Sequence, residues 1–503
     1  MKISKLVAAG SVLLASASAY AQPADSAPAS DPAPATSPPS PPATSSSAPA
    51  PASPPAAAPA GAPTTAPTIA PATGDEELDP FTFADFTWQS GNARTKDSVL
   101  GNKYFTGEFR LDDVFHYSLN RPKDDTISGS TEAWRHAENQ VTQLGFGGDF
   151  HWDNVQGRMM TQFGQLATTT PRNDPSPARG QWQLDDAYRY ISEAYGGYHF
   201  GDPHRGVNLQ AGIFMSYIGL WSYYNFDNWT YQPSYVSSNT PWFFNGVRLQ
   251  WFPSDKLKIE PWIINGWQSY ARFNNIPGFG GQVRYTPTGN IILIANQYFL
   301  GEDTLGNPDR KRVHTDDSIQ VKWYEDQTRT ISKLATTLTL DAGCESGGGV
   351  SCVGGNAAAP SQFFVGFMAY ARVWFDHDRF ALTGGGGAID NPGRYLVLVP
   401  PINGATAFSG ATPYFTANPG DPFKAWDTQL TFDYMPSQYI TLRGEFTYRH
   451  ANVPYFSGPD GITPPGGNQG APGSVVTNAD GTTWKPDLVK NEPRFTLALM
   501  VKL

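Results

Sequence analysis

The sequence predicts an all-β chain: a transmembrane antiparallel β-barrel of about 16 strands, preceded by a disordered Pro/Ala-rich segment. Three observations carry this. Apolar and polar residues alternate with a period of two in segment after segment from residue 104 onward. The connections between these segments are short and long by turns. The last segment alternates Phe495, Leu497, Leu499, Val501 and Leu503 with Thr496, Ala498, Met500 and Lys502. A barrel ends this way because its last strand pairs with its first and leaves no open edge in lipid.

The first element reads as an export signal. Lys2 and Lys5 precede the apolar run Leu6 to Ala15, which is too short to cross a bilayer as a helix. Ala19-Tyr20-Ala21 is a small-x-small cleavage site, so residues 1–21 are the expected signal peptide. No Cys follows it, and a lipoprotein anchor is not expected. Residues 22–79 open as a run of Ala, Pro, Ser and Thr with Asp25 and Asp31 as its charges, and close on Asp75-Glu76-Glu77. Such a stretch has too little apolar surface to offset the entropy of ordering. It reads as a periplasmic spacer, a solubilising tether in preference to a docking site, with a periplasmic contact left open. No other long uncharged apolar run follows, so a membrane crossing falls to strands. Residues 80–503 are the expected outer-membrane barrel.

In residues 104–119, Phe105, Phe109, Leu111, Phe115, Tyr117 and Leu119 share one face. Thr106, Glu108, Arg110, Asp112, His116 and Ser118 share the other, with Asp113 the exception on the apolar side. Similar alternation recurs at 141–152, 156–168, 186–200, 206–217, 242–252, 256–268, 278–286, 290–300, 315–324, 330–342, 361–375, 379–389, 424–435, 438–450 and 494–503. These lengths are near the ten residues or so of a tilted membrane strand. Phe81, Phe83, Phe86 and Trp88 stand outside the pattern as a further strand, an interfacial anchor or a segment in the barrel mouth.

Short turns such as Asp153-Asn154, Gly201-Asp202-Pro203, Asp376-His377-Asp378 and Pro436-Ser437 alternate with long loops such as 120–140, 218–241, 390–423 and 451–493. Short periplasmic turns and long external loops are the layout of an outer-membrane barrel, and an even strand number returns both termini to the periplasm. Trp152, Tyr198, Phe200, Trp251, Phe252, Tyr285, Trp323, Tyr324, Phe375 and Tyr434 sit at strand ends beside the short turns, as an interfacial aromatic girdle would.

The faces opposite the apolar ones carry both signs of charge. By parity they hold Arg110, Arg189, Arg248, Arg284, Arg372, Arg443 and Arg449, with Glu108, Asp112, Asp149, Glu193, Glu260, Asp427, Asp433 and Glu445. A cationic side chain facing lipid at the midplane costs roughly 2–4 kcal/mol, so charged faces are expected to turn inward. An interior of this width is too large for side chains to fill, which predicts a wet pore lined by these groups. Each is equally well read as a selectivity group or as an ion pair bracing the wall. The net charge of −10 argues against a nucleic-acid partner.

The loop at 217–244 is dense in aromatics, with Trp221, Tyr223, Tyr224, Trp229 and Tyr231 around Asp227. It is either a constriction folded into the pore, where rings could stack on sugars or other flat solutes, or a loop packed at the rim. Cys344 and Cys352 flank a Gly-rich stretch of an exported chain and favour a local disulfide over a reactive pair. Gly384 to Gly387 lacks the Lys-Ser/Thr of a phosphate cradle. Asp303, Asn307, Asp309, Asp316 and Asp317 do not match calcium-loop spacing, and the His residues have no metal-ligand spacing. No Ser/His motif stands out, and His314-Thr315-Asp316 is a single weak pairing, so no catalytic residue, cofactor or metal is expected.

The runs Gly212-Ile213-Phe214-Met215-Ser216-Tyr217-Ile218-Gly219, Asn239-Thr240-Pro241-Trp242-Phe243-Phe244-Asn245-Gly246-Val247-Arg248 and Ile263-Ile264-Asn265-Gly266-Trp267-Gln268 resemble the putative β-barrel porin family described as OmpL-like. The resemblance extends over most of residues 80–503. It implies an outer-membrane, porin-like channel, and supplies no solute or catalytic residue. Many outer-membrane barrels end in Phe; Leu503 stands there instead and keeps the alternation. The expected function is passive diffusion of small hydrophilic solutes through a barrel in outer-membrane lipid. The alternatives are a channel selective for sugars or flat solutes through the 217–244 loop, and an outer-membrane enzyme. A homotrimer is one assembly consistent with this size.

Overall fold

The computed structural model describes residues 80–503 apart from 128, 131, 172–173, 175–179, 203–204, 273, 302–307, 360, 392–422, 461–475, 478–482 and 485–487. The expected signal peptide and spacer lie outside the described residues.

Sixteen long strands close into an antiparallel barrel. They are β1 (Phe105–Ser118), β2 (Asn139–Trp152), β3 (Val155–Thr161), β4 (Ile191–Phe200), β5 (Val207–Met215), β6 (Phe243–Ser254), β7 (Leu257–Ile264) and β8 (Gly278–Thr288). β9 (Ile291–Leu300), β10 (Lys311–Glu325), β11 (Ile331–Ser346), β12 (Phe363–Phe375), β13 (Phe380–Asp390), β14 (Lys424–Ser437), β15 (Ile440–Ala451) and β16 (Asn491–Lys502) complete it. Each pairs with its chain neighbour. β16 pairs with β1 from Arg110↔Lys502 to Ser118↔Arg494, so the terminal alternating segment is the closing strand. Closure satisfies the backbone of both edge strands, which lipid would not.

All sixteen expected strands are present, with several shifted ends. The 256–268 strand stops at Ile264, the 315–324 strand begins at Lys311 and the 330–342 strand runs on to Ser346. The two largest shifts have local causes. The 156–168 segment leaves the sheet after Thr161, where Gly164 takes φ +101° and Leu166–Thr169 forms a helical turn. The 186–200 segment pairs only from Ile191, because Leu184–Tyr188 is helical. At one short turn, Asp376, His377 and Asp378 all take positive φ, a conformation Asp and His tolerate better than branched residues. Ser332 Oγ donates to Asp378 Oδ1 at 2.6 Å and secures that turn to β11.

Burial alternates along the strands, as in β12 and β14. The exposed face carries Phe146, Leu209, Ile263, Leu340, Phe367, Leu430, Phe432, Phe495 and Leu497 right round the sheet. A belt of this kind is not tolerated in water and is what lipid requires. Trp152, Tyr198, Phe200, Trp251, Tyr285, Trp323 and Tyr324 are exposed at strand ends next to the short turns. Phe252 departs from the expected girdle: it is less exposed and packs edge-on against Phe81 at 6.4 Å. Asp113 does face outward, where Asn139 Nδ2 donates to it at 2.9 Å near the rim.

Leu497 is 63% exposed in the middle of β16. Leu497→Arg is expected to destabilise the folded barrel by about 2–4 kcal/mol in lipid. Urea titration of heat-modifiable mobility measures this, and a wild-type midpoint would contradict the lipid-facing assignment.

Candidate functional site: the lumen, its loop and its N-terminal segment

The chain from Ser216 to Trp242 connects β5 to β6 and turns into the barrel. Ser216 N–H donates to the Trp242 carbonyl at 3.1 Å and closes its neck. Within it, Asn225–Asp227 is a 3-10 turn and Tyr235–Ser238 a short helix, so many of its backbone groups need partners from elsewhere. The inward charges of the wall supply them. Glu445 accepts from Tyr231 N–H at 2.6 Å and from Gln232 N–H at 2.9 Å. Asp427 accepts from Tyr235 N–H at 2.8 Å and Ser234 Oγ at 3.0 Å. Arg443 donates to the carbonyls of Asn225 at 3.2 Å and Asn228 at 2.7 Å, and Arg372 to that of Trp229 at 3.1 Å. Asp433 sits between the two arginines, 2.7 Å from each. The loop is therefore inside the lumen, which decides between the two readings of it.

The other expected lumen groups lie as follows. Asp112 accepts from Asn225 Nδ2 at 2.9 Å and Tyr231 Oη at 3.2 Å. Arg110 pairs with Glu108, reaches Asp227 Oδ1 at 3.1 Å and lies 4.0 Å from the Tyr224 ring centroid. Glu193 accepts from Tyr224 Oη at 2.8 Å. Glu260 is held by Lys258 at 2.8 Å, Gln250 at 2.6 Å and Trp262 Nε1 at 2.8 Å. Asp149, with its side chain 49% exposed, pairs with Arg158 at 2.8 Å. Arg189 is a correction: the helical turn before β4 takes it off the inward face, and it pairs with Asp186 and Asp185.

Of the loop aromatics, Trp221, Tyr224, Trp229 and Tyr231 are buried among protein groups and Tyr223 is half-buried. Trp221 donates to Met368 Sδ at 3.1 Å, Tyr223 bonds Gln162 and Thr170, and Trp229 packs edge-on against Trp374 at 5.6 Å. Parity also places Arg158, Lys258 and Arg494 inward, and these the sequence reading passed over; Arg158 pairs with Glu108, Glu193 and Asp149. Their signal was present in the alternation of β3, β7 and β16.

In the 80–103 segment, left open by the sequence, residues 86–94 enter the same lumen. Residues 96–103 are exposed, and Gly101–Asn102 pair with Phe105–Thr106 at the start of β1. Trp88 is buried and donates to the Gly289 carbonyl at 3.2 Å, and Ser90 N–H to Gln320 Oε1 at 2.9 Å. The segment meets the loop directly: Trp229 Nε1 donates to the Trp88 carbonyl at 3.1 Å and Gly91 N–H to that of Asp227 at 3.0 Å. Arg94 then donates to the carbonyls of Ser437 at 2.7 Å and Ile440 at 2.5 Å. A segment in the barrel mouth is one of the three readings open for Phe81, Phe83, Phe86 and Trp88, but without a sustained periodicity the sequence does not reveal the path. Gly91 permits the approach, with φ +80° and a position where a Cβ would lie 2.1 Å from the Leu220 carbonyl oxygen. Gly91→Val is expected to undock the segment, read as faster amide exchange at residues 88–94; unchanged protection would refute the contact.

These insertions fill one side of the lumen. The inward groups of β12–β16, among them Arg372, Asp427, Asp433, Arg443, Glu445, Arg449 and Arg494, are all buried. The void among Arg94, Arg372, Asp433 and Arg443 is only ≈ 30 Å³. On β2–β8, Asp149, Gln156, Arg158, Tyr195, Arg248, Gln250, Lys258 and Arg284 keep partial exposure.

Cys344 and Cys352 are joined by a disulfide, with Cα atoms 5.1 Å apart. Asp303 and Asn307 lie outside the described residues. Asp316 and Asp317 point to opposite faces of β10, and no metal-ligand cluster occurs among the described residues. His314 faces Asp341 at 2.6 Å inside the barrel.

Among solved structures the chain is similar to OmpT, an outer-membrane protein of Vibrio cholerae (9% identity, TM-score 0.44, 80% of this chain and 99% of that one). It is also similar to the outer membrane channel DcaP of Acinetobacter baumannii (11%, 0.42, 79% and 97%) and to Pseudomonas putida OprB (10%, 0.42, 81% and 100%). No curated protein matches the chain. The sequence profile of the family "Putative beta-barrel porin-2, OmpL-like" matches residues 106–479, from the start of β1 to the loop before β16. The chain thus belongs to that family, and is a β-barrel porin, a passive channel of the outer membrane.

Proposed function

We propose that the porin passes small hydrophilic solutes through a strip of lumen bounded by β2–β8 on one side and by the 216–242 loop and the 80–103 segment on the other. The observation that carries this is the contrast in exposure. Asp149, Arg158, Arg248, Lys258 and Arg284 on β2–β8 keep partial exposure, although Glu193 and Glu260 there are buried. Arg372, Asp427, Asp433, Arg443, Glu445, Arg449 and Arg494 on β12–β16 are all buried. A path confined to part of the cross-section implies a conductance well below that of an unfilled barrel of this strand number. No catalytic role is assigned to any residue. Trp221, Tyr224, Trp229 and Tyr231 are buried against protein, which disfavours the stacking channel; Tyr223 and Trp242 keep partial exposure beside a cavity of ≈ 130 Å³. In this reading the signal peptide is cleaved after Ala21, the spacer lies in the periplasm, and trimerisation is open to crosslinking.

Planar-bilayer recording of the mature protein tests it. Small, stable, ohmic steps with no block by sugars are expected. A folded, heat-modifiable barrel carrying no current would overturn the reading, and saturable block by a sugar would favour the stacking channel.

A further inference from the structure

Around the barrel wall, the inward arginines divide into those satisfied by protein groups and those without a carboxylate partner. Arg110, Arg158, Arg312, Arg372, Arg443 and Arg494 each form an ion pair with a carboxylate. Arg449 is consumed by the carbonyls of Gly129 and Pro233 and by Ser238 Oγ. Arg248 and Arg284 have no carboxylate within ion-pair distance among the described residues. Arg284 is covered by the N-terminal segment, with Phe81 4.8 Å from its guanidinium and Gln89 as its hydrogen-bond partner at 3.3 Å.

Arg248 differs. Its guanidinium carbon lies 4.8 Å from the Tyr195 ring centroid, 4.5 Å from that of Phe214 and 5.3 Å from that of Trp262. Its Nε donates to Gln210 Oε1 at 2.7 Å, which holds the fork in one orientation. The acid nearest in register, Glu260, is already taken by Lys258, Gln250 and Trp262. Its two terminal nitrogens are thus left without an anion among the described residues, on a partly exposed side chain of β6.

We propose that Arg248 is the selectivity residue of the path, and that the solutes it favours are small carboxylates. A planar fork with two free nitrogens matches a carboxylate bidentately, which a spherical anion does not. The surrounding rings keep the cation in place, lower its hydration and give an organic acid an apolar flank. Arg284, four residues further along the wall opposite Lys258, extends the positive potential toward the periplasmic mouth, since Lys258 itself is paired with Glu260. This rests on the channel reading above.

The test is reversal potential in planar bilayers, first in a KCl gradient and then with acetate or benzoate replacing chloride. The wild-type channel is expected to prefer anions, and to prefer both carboxylates over chloride after correction for bulk mobility. Arg248→Gln is expected to lower the anion-to-cation permeability ratio by about threefold or more, the effect of one unit charge close to the path. Arg248→Lys keeps the charge and loses the fork, so anion preference should persist and carboxylate preference should vanish. An unchanged reversal potential in a conducting Arg248→Gln channel overturns the proposal and leaves the channel reading intact. So does Arg248→Lys behaving as wild type, which decides the matter alone if the Gln variant fails to fold. A wild-type barrel without current overturns both.

Discussion

Deleting residues 81–103 raises single-channel conductance by about twofold or more, because the open cross-section sets the current through a wet pore. The segment occupies lumen that side chains alone would leave empty, and it is fastened at both ends of its course. Phe81 N–H donates to the Asp255 carbonyl at 2.9 Å, and Lys502 Nζ reaches Thr95 Oγ1 at 2.9 Å. Its removal also strips Trp229 of its partner at the Trp88 carbonyl and Asp227 of the Gly91 amide. The loop should then fluctuate, and the recording should show added open-channel noise. The segment pairs with the sheet only at Gly101–Asn102, against Thr106 and Phe105 at the very start of β1, and barrel closure runs through β1 and β16, so heat modifiability should survive. The measurement is bilayer recording of the folded variant beside wild type. Equal conductance in a folded barrel would mean that the segment does not obstruct the path.

The second large effect is on stability. Asp433→Ala removes the carboxylate shared by Arg372 and Arg443, all three of them buried. Two guanidinium groups are left in a place without solvent, and removing one partner of a buried pair costs about 3–5 kcal/mol. Both arginines also hold loop carbonyls, so the damage should reach Asn225, Asn228 and Trp229. The expected result is a lower urea midpoint for the barrel and loss of amide protection in the loop, with Asp433→Asn milder because it still accepts a hydrogen bond. A wild-type midpoint for Asp433→Ala would show that the arginines find other partners. Glu445, whose two oxygens bond Tyr231 and Gln232 amides, makes a parallel case with one loop stretch at stake.

Sixteen strands were legible because each separates two solvents. Lipid on one side and polar lumen on the other impose a period of two, and Phe495 to Leu503 or Phe105 to Ser118 show it without reference to any other part of the chain. The inward position of Arg110, Asp427 and Arg443 follows from the same parity. Arg189 fails for a local reason: a helical turn over Leu184–Tyr188 breaks the phase that parity needs. Phe252 likewise reads as girdle and instead meets Phe81, a residue 171 positions earlier whose path no periodicity reveals.

The sequence by itself determined the class of solvent on each face of every strand, the alternation of turns and loops, and from these a membrane barrel closed by its last strand. What the lumen contains was decided by tertiary structure alone. A loop or leading segment enters the barrel only if wall groups satisfy its unpaired backbone, as Glu445, Asp427, Arg372 and Arg443 do. Those partners lie about 140 to 220 residues away along the chain, and long-range pairing of irregular backbone leaves no local periodic trace.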